Sequence, residues 1–150
     1  MKYGIAQITE RELTNYLSSS ITNHKEHNFV PCTNDEDIEY PVVSVNVVRS
    51  VNQPPLDGVF EMDINVMVLT QVEISGSLSD NTYLLNEVTD KMGDTLAVRS
   101  YCNGVSGSLF IYNTEVKDVG TEQNNKLWTS LLNVTVMAQQ GFNPSIQFGT

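Results

Sequence analysis

Apolar positions recur along the chain with two periods, and each change of period marks an element. Leu13, Tyr16, Leu17 and Ile21 are spaced to share one helical face. The run opens on Thr9-Glu10-Arg11-Glu12, a capping-box sequence, with Ile8 before the cap and Leu13 beyond it as a hydrophobic staple. This predicts a helix over residues 10–22. The pattern is lost over 23–40, which holds both histidines, Pro31, Cys32 and the run Asp35-Glu36-Asp37-Ile38-Glu39, and reads as a surface loop.

A period of two then takes over. Val43, Val45, Val47 and Val51 oppose Ser44, Asn46 and Ser50, with Arg49 the exception, in a strand over 40–51 that Pro41 helps to start. Asn52 to Gly58 is a turn by composition. The alternation is cleanest from Phe60 to Glu73, where Phe60, Met62, Ile64, Val66, Val68 and Val72 share a face. Strands average about 5–6 residues, so this one must project from the domain or belong to a larger sheet. Helical spacing returns at Leu85, Val88, Met92 and Leu96, with Ser79 as N-cap, Gly93 inside and an end before Asn103-Gly104. Two further strands follow, Ser108–Val116 and Leu127–Ala138, joined by a polar hairpin loop from Lys117 to Lys126. Trp128, Leu132, Val134 and Val136 share one face of the last strand.

The order α-β-β-α-β-β predicts an α+β fold of two layers: a four-stranded, mainly antiparallel sheet with two helices on one face. Residues 1–138 form the single domain, and 139–150 an extended C-terminal tail in which Phe142, Ile146 and Phe148 are unusually apolar. The sheet face away from the helices should be polar. Instead it carries Met67, Leu69, Leu127, Leu131 and Met137. Either the tail or a long loop covers them, or another subunit does.

Composition narrows the function classes. The 18 acidic and 8 basic residues leave a net charge of -10, which denies a phosphate backbone its usual counterion-release affinity. No run approaches the roughly 20 apolar residues of a membrane helix. The first residues lack the apolar core of a secretory signal, so a reducing cytoplasm and unpaired Cys32 and Cys102 are expected. His24, His27 and Cys32, with Cys102, hold zinc-type donor atoms, but their spacing fits no standard finger and no metal is expected. There is no nucleophile elbow, Walker A sequence or Gly-x-Gly-x-x-Gly stretch. The chain therefore reads as non-enzymatic and without a cofactor.

The succession of elements resembles the tail terminator, or tail-completion, proteins of tailed bacteriophages. The features that carry the resemblance are the helix Thr9–Ile21, the Val-rich strand opened by Pro41 and the long strand Phe60–Glu73. The helix Ser79–Cys102 and the closing strand Leu127-Trp128-Thr129-Ser130-Leu131-Leu132-Asn133-Val134-Thr135-Val136 complete it. The resemblance implies a virion structural protein that is made in the host cytoplasm and forms a ring of copies of itself, a hexamer. The ring ends tail-tube polymerisation and joins the head. Its partners would be the tail-tube protein, a head-completion or connector protein and, in a contractile tail, the sheath terminus. Met67, Leu69, Leu131, Met137, Phe142, Ile146 and Phe148 become candidate subunit contacts. Asp35, Glu36, Asp37 and Glu39 become a candidate acidic channel loop past which DNA slides without sticking, or simply a solvated loop. Other ring-forming neck or connector proteins share this layout. A stand-alone α+β module binding a small ligand or a peptide is the alternative from another class.

Overall fold

The computed structural model describes residues 4–21, 28–30, 41–52, 58–73, 75–106 and 109–140. The elements are α1 (Ile5–Ser20), β1 (Asn28–Val30), β2 (Val42–Asn52), β3 (Val59–Gln71), α2 (Ser77–Gly93), α3 (Thr95–Arg99), a wide π-type turn over Ser100–Ser106, β4 (Leu109–Asn124) and β5 (Leu127–Gln140). The strands form one sheet in the order β1-β2-β3-β5-β4. All neighbours are antiparallel except the short β1, which runs parallel to β2.

The two-layer α+β arrangement follows from the alternation. Val43, Val45, Met62, Ile64, Val66, Val68, Leu132, Val134 and Val136 all point to one side and are buried there. Leu13 and Leu17 of α1 and Leu84, Val88 and Met92 of α2 close over them, α1 against β2 and α2 against β3 and β5. The unusual length of β3 has its explanation in the sheet. β3 is the middle strand, paired over nearly its whole length with β2 on one side and β5 on the other. It belongs to a larger sheet and does not project.

Four boundaries differ from the sequence reading. The first helix starts at Ile5, with the Gly4 amide bonded to Gln7 Oε1, so Thr9 is no cap. Ile5 and Ile8 extend the apolar stripe by a turn, and the buried Thr9 satisfies its hydroxyl on the Ile5 carbonyl at 2.7 Å. Residues 28–30, read as loop, form the edge strand β1, too short for its own periodicity. The second helix starts at Ser77, behind Gly76 in the left-handed region at φ 80°, a conformation open to glycine. It breaks after Gly93, where Asp94 caps α3 by accepting the Ala97 amide at 3.1 Å. Lastly, β4 continues through the presumed hairpin loop to Asn124. Its outer half is exposed on both faces, so no apolar alternation betrays it. A two-residue turn at Asn125-Lys126 closes the hairpin, with Asn125 at φ 57° as tight hairpins require.

One polar group lies in the centre of the core. Asn81 of α2 is fully buried, and its Nδ2 reaches the carbonyls of Val68 (3.1 Å) and Trp128 (3.0 Å) and Thr70 Oγ1 (3.1 Å). Its Oδ1 accepts from Ser130 Oγ, which also shares a hydrogen with Thr121 Oγ1. Thr70 Oγ1 in turn donates to the Ser77 carbonyl. The carboxamide thus fastens the start of α2 to β3 and β5 together. Asn81→Leu should lower stability by about 2–4 kcal/mol, because it strands buried hydroxyls without partners. The urea midpoint measures this, and Asn81→Asp should be no milder, since it buries a charge.

Candidate functional site

The helices leave the other sheet face without a described element over it. Strand register sorts its side chains into rows. Across β2, β3, β5 and β4 these read Val42–Leu69–Thr129–Glu122, Ser44–Met67–Leu131–Gly120, Asn46–Asn65–Asn133–Asp118, Arg49–Asp63–Thr135–Glu115 and Val51–Glu61–Met137–Asn113. The apolar candidates therefore do not form one patch. Met67 and Leu131 face each other directly, while Met137 stands about 20 Å from Leu131 at roughly 3.4 Å per residue. The polar rows lie between them.

Burial separates the candidates further. Met67 and Met137 are half-buried, and Leu131 is 36 % exposed. Leu69 is only 5 % exposed within the single chain, and its neighbours Val42 and Ser44 are buried as well. A charge at Leu69 would strike the fold before any assembly. Phe142, Ile146 and Phe148, and the acidic Asp35, Glu36, Asp37 and Glu39, lie outside the described residues, as do His24, His27 and Cys32.

The polar rows floor a shallow hollow of about 470 Å³. Asp63 anchors it, accepting from Thr135 Oγ1 at 3.2 Å and pairing with Arg49 at 3.5 Å. Lys117 reaches Glu115 at 3.6 Å on its rim. The strands on either side of the hollow each carry a bulge at this level, at Val47/Arg49 in β2 and at Val116/Asp118 in β4. The charges on the floor are of both signs, with Arg49 paired to Asp63 and Lys117 to Glu115, which suits a surface that meets another polar surface more than one that holds an ion.

The sheet edges are treated unevenly. On β2, Glu10 Oε2 of α1 accepts the outward Val47 amide at 2.8 Å. On β4, Arg99 donates to the carbonyls of Ile111 (2.7 Å) and Tyr112 (2.9 Å), and its guanidinium lies over the Phe110 ring. Thr95 Oγ1 accepts the Thr114 amide at 3.2 Å and lies 3.3 Å from its carbonyl. These side chains occupy backbone groups that would otherwise template another strand. Residues 117–124 of β4 have no such cover among the described residues and are exposed throughout. In the sequence Glu10 lies inside the Thr9–Glu12 capping-box pattern without a role of its own, and nothing marks Thr95 or Arg99. No local pattern marks an edge cap, because its partner is a backbone group distant in sequence.

Among the described residues, no group of three or more His, Cys, Asp or Glu is placed to hold a metal ion, and no helix is long and apolar enough to cross a membrane. Cys102 is a buried thiol outside any disulfide, packed in the core near Tyr16. Burial, and secondarily the Glu12 carboxylate, push the thiol up to about 12. Tyr16 is likewise pushed up to about 12, first by burial and then by Asp94 and Cys102, and its hydroxyl donates to the Lys91 carbonyl at 2.8 Å. The described residues thus define a two-layer α+β fold with partly capped edges and one sheet face that is buried at its Leu69 end and has no described element over it. Compared with known proteins, the chain matches no family model and no curated sequence.

These two shifts set an alkaline limit. Both groups hold their protons more tightly folded than unfolded, so their contribution is complete below about pH 9 and is lost as pH rises toward 12. The thermal unfolding midpoint should therefore fall across that window, and Cys102→Ala should flatten the decline. Alkylation at pH 8 followed by peptide mapping should leave Cys102 unmodified until the chain is unfolded.

Proposed function

We propose that this chain is a structural subunit of a tailed-phage virion, a tail-terminator-like protein whose copies assemble into a ring at the head–tail junction. The observation that carries the reading is the sheet face over which no described element lies. Helices cover one side of the sheet, while Met67 and the exposed Leu131 face each other on the other. An apolar pair rimmed by polar rows is a form that contact surfaces take. The order of long central strand, crossover helix and closing hairpin supports the same reading, because it is the layout on which the resemblance rests. In such a ring one rim would sit on the last tail-tube layer and the other would meet the head-completion or connector protein. A net charge of -10 suits a wall past which DNA moves without being held. The roles of Asp35, Glu36, Asp37 and Glu39 as channel loop, and of Phe142, Ile146 and Phe148 as contacts, belong to this proposal.

The test is assembly. Light scattering on the purified chain, alone and with tail tubes, should give a closed multiple of 16.7 kDa. Leu131→Asp should abolish the ring or its seating on the tail tube while costing the single chain no more than about 1 kcal/mol. A wild-type chain that stays monomeric at every concentration, with or without tubes, overturns the reading.

A further inference from the structure

Resting on the ring reading, we infer that copies join edge to edge: β2 of one copy adds as an antiparallel strand to the outer half of β4 of the next, with Arg49 facing Glu122.

The argument starts from which backbone groups point outward. In an antiparallel ladder, opposed residues alternate between exchanging hydrogen bonds and pointing away from each other. Thr114 points away from β5, since its amide and carbonyl meet Thr95. Its opposite number is Val136. Stepping by two along β5 to Leu132, Ser130 and Trp128, the residues opposite are Val119, Thr121 and Gln123. Their amides and carbonyls therefore point out along the edge. On β2 the Val47 amide points outward to Glu10, opposite Ile64. The same step reaches Ser50 opposite Met62 and Asn52 opposite Phe60. Side chains of α1 and α3 and the strand β1 occupy other stretches of both edges; among the described residues nothing covers these two stretches.

The two bare stretches fit each other. β2 and β4 run in opposite directions within the sheet, so similarly oriented copies placed side by side bring them together antiparallel. Only outward-pointing residues can exchange hydrogen bonds, which restricts the register. With Ser50 opposite Thr121 and Asn52 opposite Val119, Arg49 falls opposite Glu122 and Val51 opposite Gly120. Arg49 and Glu122 both belong to the bare sheet face, so opposite charges meet on one side of the joint. The hydroxyls of Ser50 and Thr121 meet on the other. Arg49 is the sole charge on the β2 stretch, while the β4 stretch carries Asp118 and Glu122 against Lys117. The joint uses a different patch on each side, so every copy keeps one unused edge and addition continues until the circle closes.

Two variants test this. Val119→Pro removes an outward amide without breaking the β4–β5 ladder. It should convert the ring to single chains that remain folded, with an unchanged far-ultraviolet circular dichroism spectrum and a midpoint lowered only by the lost assembly. The double variant Arg49→Cys/Glu122→Cys should, on oxidation, give a ladder of chains cross-linked beyond two on a non-reducing gel, which the wild type does not give. If Val119→Pro unfolds, the cross-link alone decides. A wild-type ring with no cross-linked ladder, or one that survives Val119→Pro, overturns the edge joint and leaves the ring reading standing. Cross-linking that stops at dimers also overturns it, and a monomeric wild type overturns both.

Discussion

The carboxamide of Asn81 pins two hairpins together at the one seam where they join. The fold consists of two hairpins, β2–β3 and β4–β5, each closed by local contacts. They join only along the β3–β5 seam, between residues more than fifty positions apart in the chain. Asn81 sits over that seam and bonds to both of its strands, while α2 carries it across from one hairpin to the next. A buried amide is tolerable because nearly every polar atom around it has a partner. The apolar contacts of α2 would hold it against the sheet in several registers; the amide selects one.

The alternation of the strands decides which face of the sheet the helices cover. Once α2 is seated on β3 and β5, and α1 on β2, the layer of helices is complete on one side. The opposite face is left with polar rows between two separated apolar regions, and the edges are capped where helices pass beside them. Side chains of α1 and α3 reach the backbone of the edge strands and leave other stretches open. Face and edge together are the surfaces through which copies of one chain can meet without disturbing its core.

The alternation of β3 and β5 and the stripe of α1 made the two-layer architecture readable, because burial on one face imposes its period directly. The last strand also contained a clue in its gap. Among Trp128, Leu132, Val134 and Val136, the missing core-side position is Ser130, and the structure shows why a hydroxyl stands there. The half of β4 beyond Val116 was not readable, since both its faces are wet and its pairing relies on backbone. Nor was the edge strand β1. Of the candidate contacts, Met67 and Leu131 share the face the strand pattern gave them, while their standing opposite each other comes from the β3–β5 pairing, which that pattern does not contain. Leu69 lay on the foreseen face, but a two-residue period records the side on which a residue lies and not whether that side is already covered.

β5 is the last described strand in the chain, yet it lies between β3 and β4 in the sheet. During synthesis β2 and β3 emerge long before the strand that completes them, so one side of β3, with Met62, Ile64 and Val66 along it, waits without its neighbour. Such a half-sheet has an apolar face and an unpaired edge, and it is liable to pair with another nascent chain. The closing hairpin has the opposite character. Its tight turn at Asn125 lets β4 and β5 find each other locally and arrive as a finished unit. Folding of this protein is thereby a matter of timing, in which a late hairpin must reach the exposed side of β3 before a neighbouring chain does.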